Sequence, residues 1–287
     1  MGHRIGGTAG DVLTARLRTQ TARLAALEPD VRADRPDAVH RMRVAARRLR
    51  SALRTHRRHL RGDRTRTEDE LQWLGRALGR ARDAEVLGTR LLAQARELPD
   101  GTDRARVLAE ITTWSEREAR EARPQVLAAL DGERFRRLLA ELTALAADPP
   151  LTARAARPAA PELTRTLRRE HRRTAERLAA ARRAPDGPAR ERALHDARKA
   201  AKRARYAGES VGRPARGFTH RMRVLQDVLG RHQDAVVARD TVRTLSDGGF
   251  GYGALYGRQT AELAFARELL PATWEQAARR PQRLRRA

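Results

Sequence analysis

The feature that most constrains the fold of this chain is a pair of sequence motifs that occurs twice in the same order. The first motif is a basic segment that reads HRMRVAARRLR from His40 and HDARKAAKRAR from His195, 155 residues further along. The second motif begins Leu-Gly-Arg and continues to Asp-Ala, at residues 78–84 and again at residues 229–235. A repeat of this length is too long for a solenoid unit, so it predicts two copies of one half-domain.

The first basic segment, residues 39–60, has the pattern of an amphipathic helix. It contains no proline or glycine, and a Pro-Asp pair just upstream provides a helix start signal. At 100° per residue, one stripe is apolar and includes Met42, Leu49 and Leu53. The opposite stripe is basic, extends about 21 Å at 1.5 Å per residue, and consists of His40, Arg43, Arg47, Arg50 and Arg54.

The second basic segment repeats this face at matching positions. The matching pairs are His40 and His195, Arg43 and Arg198, Arg47 and Lys202, Arg48 and Arg203, and Arg50 and Arg205. Both lysines of the chain, Lys199 and Lys202, lie in this segment. A solvated polar face is the usual meaning of a charged stripe on a lone helix. Because the first stripe carries no acidic residue and the pattern occurs twice, we favour a face that binds an anion.

Composition agrees with a helical protein that has a polyanionic partner. Of 287 residues, 40% are hydrophobic and only 3% aromatic, so leucine, alanine and valine must fill the core. The formal net charge of +25 favours nucleic acid, an anionic membrane surface or inorganic polyphosphate as partner. Abundant arginine beside two lysines is also typical of G+C-rich codon usage. The placement of charge is therefore better evidence than its amount.

Several classes of protein are disfavoured by what the sequence lacks. It has no cysteine, which excludes disulfides, thiolate metal sites and a cysteine nucleophile. No uncharged apolar run approaches the roughly 18 residues of a membrane span. The opening residues, MGHRIGGTAG, lack the apolar core of a secretory signal. We therefore expect a cytoplasmic protein without a membrane partner.

The remaining pattern predicts an all-α fold of two antiparallel four-helix bundles related by an internal pseudo-two-fold. The predicted boundaries are a disordered arm at 1–10, a first half at 11–146, a proline-rich linker at 147–161, a second half at 162–280 and a basic tail at 281–287. Within these halves, Asp11 is predicted to cap the first helix and one long helix is predicted over residues 67–98. The glycine-rich segment 246–257 has no P-loop ending and is predicted to be an interhelical loop.

These paired motifs resemble the two halves of the CHAD domain, the conserved histidine α-helical domain. The resemblance covers about residues 11–280 and implies two four-helix bundles around a basic central channel that binds inorganic polyphosphate. Carried over by motif position, one wall would contain His40, Arg43, Arg47, Arg48 and Arg50, and the other His195, Arg198, Lys202, Arg203 and Arg205. Arg54, Arg80 and Arg231 complete the candidate set. The second copy departs from the first, with Ala204 where the first has Leu49.

The chemistry of polyphosphate fits such walls. Polyphosphate is a flexible chain of regularly spaced negative charges, and arginine forks bind its oxygens bidentately while staying charged. His40 and His195 would act as donors or as added cations, although local packing or solvation is the alternative for each. Asp83 and Asp234 are expected to fix a neighbouring arginine or to cap a helix. Whether the adjacent Arg80 and Arg231 line the channel stays open.

We expect a binding module rather than an enzyme, with no cofactor and no metal. The sequence shows no cluster of carboxylates that could hold Mg²⁺ for phosphoryl transfer. His56 and His59 have a spacing that a metal could use, but no carboxylate is placed to complete a site, so we predict surface residues. A role in targeting polyphosphate granules would fit such a module. The alternatives are a nucleic-acid-binding protein, disfavoured by the few aromatics, and a polyphosphate-processing enzyme.

Overall fold

The computed structural model describes residues 4–100, 102–246 and 248–286, and most of these residues lie in helices. Eleven α-helices occur in this part of the chain: α1 (Ala9–Ala26), α2 (Glu28–Arg32), α3 (Ala38–Thr55), α4 (Thr65–Ala77), α5 (Gly79–Arg96), α6 (Arg104–Asp131), α7 (Glu133–Ala147), α8 (Ala159–Arg183), α9 (Pro188–Val211), α10 (Arg216–Leu245) and α11 (Phe250–Ala277). Two strands of two residues, β1 (Arg4–Ile5) and β2 (Arg285–Arg286), pair in parallel. The predicted all-α fold class is confirmed.

Three clusters of buried apolar side chains form the core. One cluster joins α1, α2, α3, α4 and α7 to the end of α6, and a second joins α8, α9, α10 and the end of α11. The third contains Leu91 and Ile111 from the first half with Val242 and Leu255 from the second. The halves therefore share buried surface, and α5 and α6 pack partly against α10 and α11. The internal pseudo-two-fold stays a prediction.

The region predicted as one helix over residues 67–98 consists of two helices. α4 ends at Ala77 and α5 begins at Gly79, with Leu78 between them in a near-helical conformation (φ −76°, ψ −13°). Arg43 lies directly against this junction, and a Cβ at Gly79 would be 3.3 Å from its guanidinium. In the second half, α10 continues without a break through Gly230. The extra helices, including the short α2, give the first half seven helices instead of the predicted four.

One prediction near the N-terminus needs correction. Thr8, not Asp11, is the N-cap of α1: the Thr8 hydroxyl accepts from the Asp11 backbone N–H at 3.1 Å. The Asp11 carboxylate accepts from the Thr8 backbone N–H at 2.8 Å, which completes a capping box. Within the arm predicted at 1–10, β1 pairs with β2 and α1 begins at Ala9, and the disorder of this arm stays a prediction. Residues 1–3 and 287 lie outside the described residues.

The proline-rich segment 147–161 packs closely against the end of α3. Arg61 donates its backbone N–H to Pro150 at 2.7 Å, and Thr152 donates to His59 at 3.0 Å. This packing buries the residues that follow α3, and the domain boundaries themselves stay predictions. The glycine-rich segment is helical from Phe250 onward rather than a loop to residue 257. Gly251 allows this start because a side chain there would collide with Asp103.

Candidate functional site

The two basic helices, α3 and α9, pack against each other, and α8 lies beside them. Arg47 of α3 donates from Nε to the hydroxyl of the buried Tyr206 of α9 at 2.8 Å. Between the three helices lies a cavity of about 400 Å³, which we call the basic groove. Its cationic side chains are Arg47, Arg50, Arg54, Arg173, Arg177, Lys199, Lys202 and Arg203, against the single carboxylate of Asp196.

Lys202 is the most perturbed cation of the groove. Burial, followed by the nearby charges of Arg47, Arg198, Arg205 and Arg43 in that order, lowers the pKa of this amine to about 7. In the described part of the chain no carboxylate lies within ion-pair distance of its Nζ. The fold therefore concentrates positive charge around Lys202 without a local counter-ion, and a bound anion would relieve this repulsion.

Three other arginines of the groove are held by polar groups on neighbouring helices. Arg50 donates to the side-chain oxygen of Gln72, and Arg54 pairs with Glu68 at 2.5 Å, both on α4. Arg203 pairs with Glu170 of α8 at 2.5 Å, and that carboxylate is only 2% exposed. Glu170 also lies 3.3 Å from Arg169. Burial lowers the pKa values of Arg50 and Arg203, although a guanidinium stays charged.

Each Leu-Gly-Arg motif contacts the basic helix of its own half. Arg43 pairs with Asp83 at 2.6 Å and lies against Gly79. In the second half, Arg198 lies 3.6 Å from Asp234, and a Cβ at Gly230 would meet its guanidinium at the same distance. The glycine leaves room for the guanidinium and the aspartate orients it. This geometry agrees with the structural role expected for the aspartates.

Arg48 and Arg205 lie at the side of the α3–α9 contact rather than in the groove. Both pair with Glu209, at 3.2 Å and 3.3 Å. Their guanidinium carbons lie 6.0 Å and 4.9 Å from the centre of the Tyr206 ring. Arg16 of α1 also reaches Glu209, at 3.5 Å. This cluster holds α1, α3 and α9 together and fixes the position of Tyr206.

Arg80 and Arg231 also lie apart from the groove lining. Arg80 pairs with Glu121 at 2.7 Å and Glu118 at 3.4 Å, both on α6. Arg231 is exposed on α10 and has no ion pair within the described residues. The structure therefore brings the Leu-Gly-Arg arginines to the surface, one residue beyond the glycines that contact the groove helices.

The motif histidines lie outside the groove lining, His40 as the third residue of α3 and His195 as the eighth residue of α9. His40 is half-buried, and burial lowers its pKa, with Asp37 acting in the opposite direction and Arg82 adding to the decrease. His40 is therefore neutral at pH 7. His195 places Nδ1 2.7 Å from the side-chain oxygen of Gln233 on α10. Because that oxygen only accepts, Nδ1 carries the proton and donates it.

His56 and His59, predicted as surface residues, are buried. They are only 1% and 2% exposed, because the segment 147–161 and α8 cover the end of α3. Their rings lie 5.5 Å apart. Burial lowers the pKa of His56 to about 3 and also lowers the pKa of His59. Both imidazoles are therefore neutral at pH 7.

Arg173, Arg177 and Tyr206 contribute to the groove but were not expected from the sequence. A signal for the two arginines existed, because arginines recur along α8 at 165, 168, 169, 172, 173 and 177, and Arg173 and Arg177 of that series are four residues apart on one stripe. That arginine series has no counterpart in the first half, so a comparison of the two repeats does not identify Arg173 and Arg177 as site residues. Tyr206 closes the second basic motif, but its role depends on Arg47 from the other half.

Neither a metal-binding cluster nor a membrane-spanning helix occurs in the described part of the chain. Across residues 4–100, 102–246 and 248–286, no three side chains of His, Asp or Glu are grouped so that they could hold a metal ion. Over the same ranges, none of the helices combines the length and apolar character needed to cross a membrane. The arrangement described above instead holds arginines and a lysine close together on three helices.

These features define an all-α protein with two duplicated cationic helices in contact. The chain belongs to the CHAD domain family, whose model matches residues 15–243. It is 34% identical over 256 residues to each of two uncharacterized proteins of Mycobacterium tuberculosis, MT2285 and Rv2226, covering 85% of this chain. The chain spans about half the length (48%) of these relatives.

Two solved structures share this fold over almost their whole length. The CHAD domain from the plant Ricinus communis superposes with a TM-score of 0.74 at 27% identity, covering 98% of this chain and 96% of that one. PptA from Streptomyces chartreusis superposes with a TM-score of 0.79 at 23% identity, covering 94% and 99%. The second likeness supports the fold alone, because the identity is low.

Proposed function

We propose that this protein binds inorganic polyphosphate in the basic groove and does not catalyse its turnover. The observation that carries the proposal is Lys202, held among Arg43, Arg47, Arg198 and Arg205 with its pKa lowered to about 7. The empty groove is electrostatically unfavourable, and a polyanion that entered it would restore the lysine charge and reduce the repulsion. Membership of the CHAD domain family supports the same ligand.

The shape of the groove suits a repetitive polyanion. Its cations come from three helices and lie about one helical turn apart on α3, at Arg47, Arg50 and Arg54. Arginine forks bind phosphate oxygens from several directions, so a flexible chain needs no fixed register. Apart from Ser51, Asp196 and Tyr206, every polar side chain of the groove lining is a cation, so charge would dominate recognition. A binding module of this kind would serve as an adaptor at polyphosphate granules in the cytoplasm.

Nucleic acid is the second candidate, because the net charge of +25 would attract any polyanion. Recognition of single strands depends on stacking of bases on aromatic rings. Tyr206 is the aromatic residue of the groove, but it is 2% exposed and lies beside the guanidinium groups of Arg48 and Arg205. A base cannot stack there without displacing these arginines. We therefore expect nucleic acid to bind more weakly and by charge alone.

A competition titration tests this proposal. Labelled long-chain polyphosphate is displaced from the full chain by unlabelled polyphosphate, duplex DNA or RNA at one fixed salt concentration. We expect polyphosphate to compete most strongly, with an affinity that falls as salt rises. Equal or tighter binding of DNA would contradict the proposal. Release of orthophosphate that follows the protein through purification and stops with EDTA would contradict the non-catalytic part.

A further inference from the structure

We propose that a second cavity, outside the basic groove, binds an organic phosphate such as a nucleoside triphosphate. This cavity of about 760 Å³ lies between the outer face of α8, the 3₁₀ turn Arg57–His59 and the end of α11. Its volume is within the usual range for small-molecule sites, roughly 300–1,000 Å³. It shares no lining residue with the basic groove. On α8, Arg172 lines this second cavity, whereas Arg173 lines the groove.

The cavity is strongly cationic. Seven arginines line it, and three of them, Arg165, Arg168 and Arg172, follow one another at helical spacing on α8. Glu162 is the acidic residue of the lining, and its carboxylate is already engaged by Arg154 at 2.7 Å and by Arg165. Arg169 pairs with Glu170, and Arg172 lies 3.6 Å from the exposed Glu176. Arg58, Arg168 and Arg280 have no ion pair within the described residues, so their guanidinium groups are available to phosphate groups.

The lining also includes apolar surface that inorganic phosphate would not use. Trp274 of α11 is half-buried and stacks on His171, with ring centres 5.6 Å apart and an interplanar angle of 25°. Ala175, Ala278 and Pro281 lie in the same lining. A flat, uncharged ring packs well against such surface, and a tryptophan face is a common platform for a base. Arginines and an aromatic platform together favour a ligand with both phosphates and a ring.

His59 gives an independent reason to expect a polar organic ligand. It lines the cavity, is 2% exposed, and neither ring nitrogen has a hydrogen-bond partner. Its Nε2 lies 3.6 Å from the Glu162 carboxylate, a long contact that acts against the decrease in the His59 pKa but leaves the ring without a hydrogen bond of normal length. Buried polar side chains are nearly always hydrogen-bonded, so an unpartnered imidazole indicates a missing partner. Because burial keeps His59 neutral, it offers one donor and one acceptor, which suits a base or a sugar hydroxyl.

The fluorescence of Trp274 provides the test. The full chain is titrated with ATP at fixed salt, without divalent cations, beside Trp274→Phe, Arg168→Gln with Arg172→Gln, and the groove pair Arg47→Gln with Lys202→Gln. We expect ATP to quench the emission of the unchanged protein and of the groove pair equally, with the same affinity. The Arg168/Arg172 pair should bind ATP about tenfold more weakly. Trp274→Phe should lose the quench and retain a weakened affinity in a displacement assay.

Two comparisons make the proposal falsifiable. Tripolyphosphate has the charges of ATP without its ring, and we expect it to bind at least fivefold more weakly. Equal affinities for the two ligands, with helical content intact, would overturn the proposal. So would an Arg168/Arg172 pair that weakens long-chain polyphosphate as much as the groove pair does, because the cavity would then extend the groove. Polyphosphate binding itself is measured separately, so failure here leaves the proposed function of the groove intact.

Discussion

The two basic helices carry the same motif but hold it in different ways. Arg43 of α3 pairs tightly with Asp83, at 2.6 Å, beside a break between two helices. Arg198 of α9 lies 3.6 Å from Asp234, beside an unbroken α10. Equal sequence spacing has therefore produced a tight contact in one half and a loose one in the other.

The difference extends along both helices. On α3, Arg50 and Arg54 are oriented by Gln72 and Glu68 of α4, so their charges are positioned and partly balanced. On α9, Lys202 has no such partner and lies among arginines from both helices. The other cations of α9, Lys199, Arg203 and Arg205, do have carboxylate partners, so the unbalanced charge is concentrated at Lys202. We infer that the contact between the helices, rather than either motif alone, generates the binding free energy.

The largest expected effect comes from neutralising matched positions of the two helices. Arg47→Gln with Lys202→Gln should weaken polyphosphate binding by about a hundredfold or more, because charge-assisted contacts contribute on the order of 1.5–3 kcal/mol each. Arg137→Gln with Arg223→Gln is the control: both arginines are exposed, line neither cavity and remove the same formal charge. The control should cost well under tenfold in a titration at fixed salt. Similar losses from both pairs, with circular dichroism unchanged, would mean that no organised site exists.

The next effect is a pH dependence from Lys202. In the empty groove its pKa is about 7, below its ordinary value, and a bound phosphate raises it again. The protonated lysine binds better, so binding takes up a proton and affinity falls as pH rises above 7. Between pH 6.5 and 8.5 the loss should be on the order of tenfold. Lys202→Gln should flatten this profile, and a wild-type affinity that does not change over this interval would exclude the role of Lys202.

A smaller effect is expected when the hydrogen bond between Arg47 of α3 and Tyr206 of α9 is removed. Tyr206→Phe removes the acceptor of the Arg47 Nε hydrogen bond and keeps the ring that packs near Arg205. The freed arginine must then be ordered by the ligand, so polyphosphate affinity should fall about fivefold. Tyr256→Phe, at an exposed position of α11, is the matched control and should change nothing. If Tyr206→Phe and Tyr256→Phe bind polyphosphate with the same affinity, the expected role of the Arg47–Tyr206 hydrogen bond is wrong.

The smallest effect is expected at Arg80. Its guanidinium pairs with Glu118 and Glu121 of α6 and does not contact the groove. Arg80→Gln should therefore change the affinity for polyphosphate less than twofold in the same titration. A loss near that of the Arg47/Lys202 pair would place Arg80 in the ligand path.

The sequence predicts most of this fold because the patterns that specify each helix lie within a short stretch of the chain. Helix periodicity and proline or glycine breaks identify most helices within a few residues, and the repeated motifs identify α3 and α9. It fails at Gly79, where α5 begins after a break, although the matching Gly230 lies inside an unbroken α10. It also fails at His56 and His59, which only tertiary packing buries. Periodicity describes one helix at a time, whereas these features arise between elements.

The candidate groove is less predictable than the fold for the same reason. The motif positions Arg47, Arg50, Lys202 and Arg203 do line it. Arg48 and Arg80 have the same charge and nearly the same spacing, but their partners on other helices hold them elsewhere. The α8 arginines enter the groove from a helix that carries no repeated motif. Charge and spacing select candidates, and only packing decides which of them meet.

Arg43 and Arg198 lie outside the groove lining but close enough to Lys202 to lower its pKa, so the aspartates that hold them have a consequence for which anions would be retained there. Asp83 and Asp234 are tethered carboxylates that hold Arg43 and Arg198 in the empty protein. A single orthophosphate that binds one of these arginines must displace its aspartate, so the net gain in binding free energy is small. A long chain makes several exchanges, and after the first the others are intramolecular and occur at high effective concentration. Because these aspartates compete with the ligand for the arginines, the protein would bind long polyphosphate much more tightly than single phosphate ions.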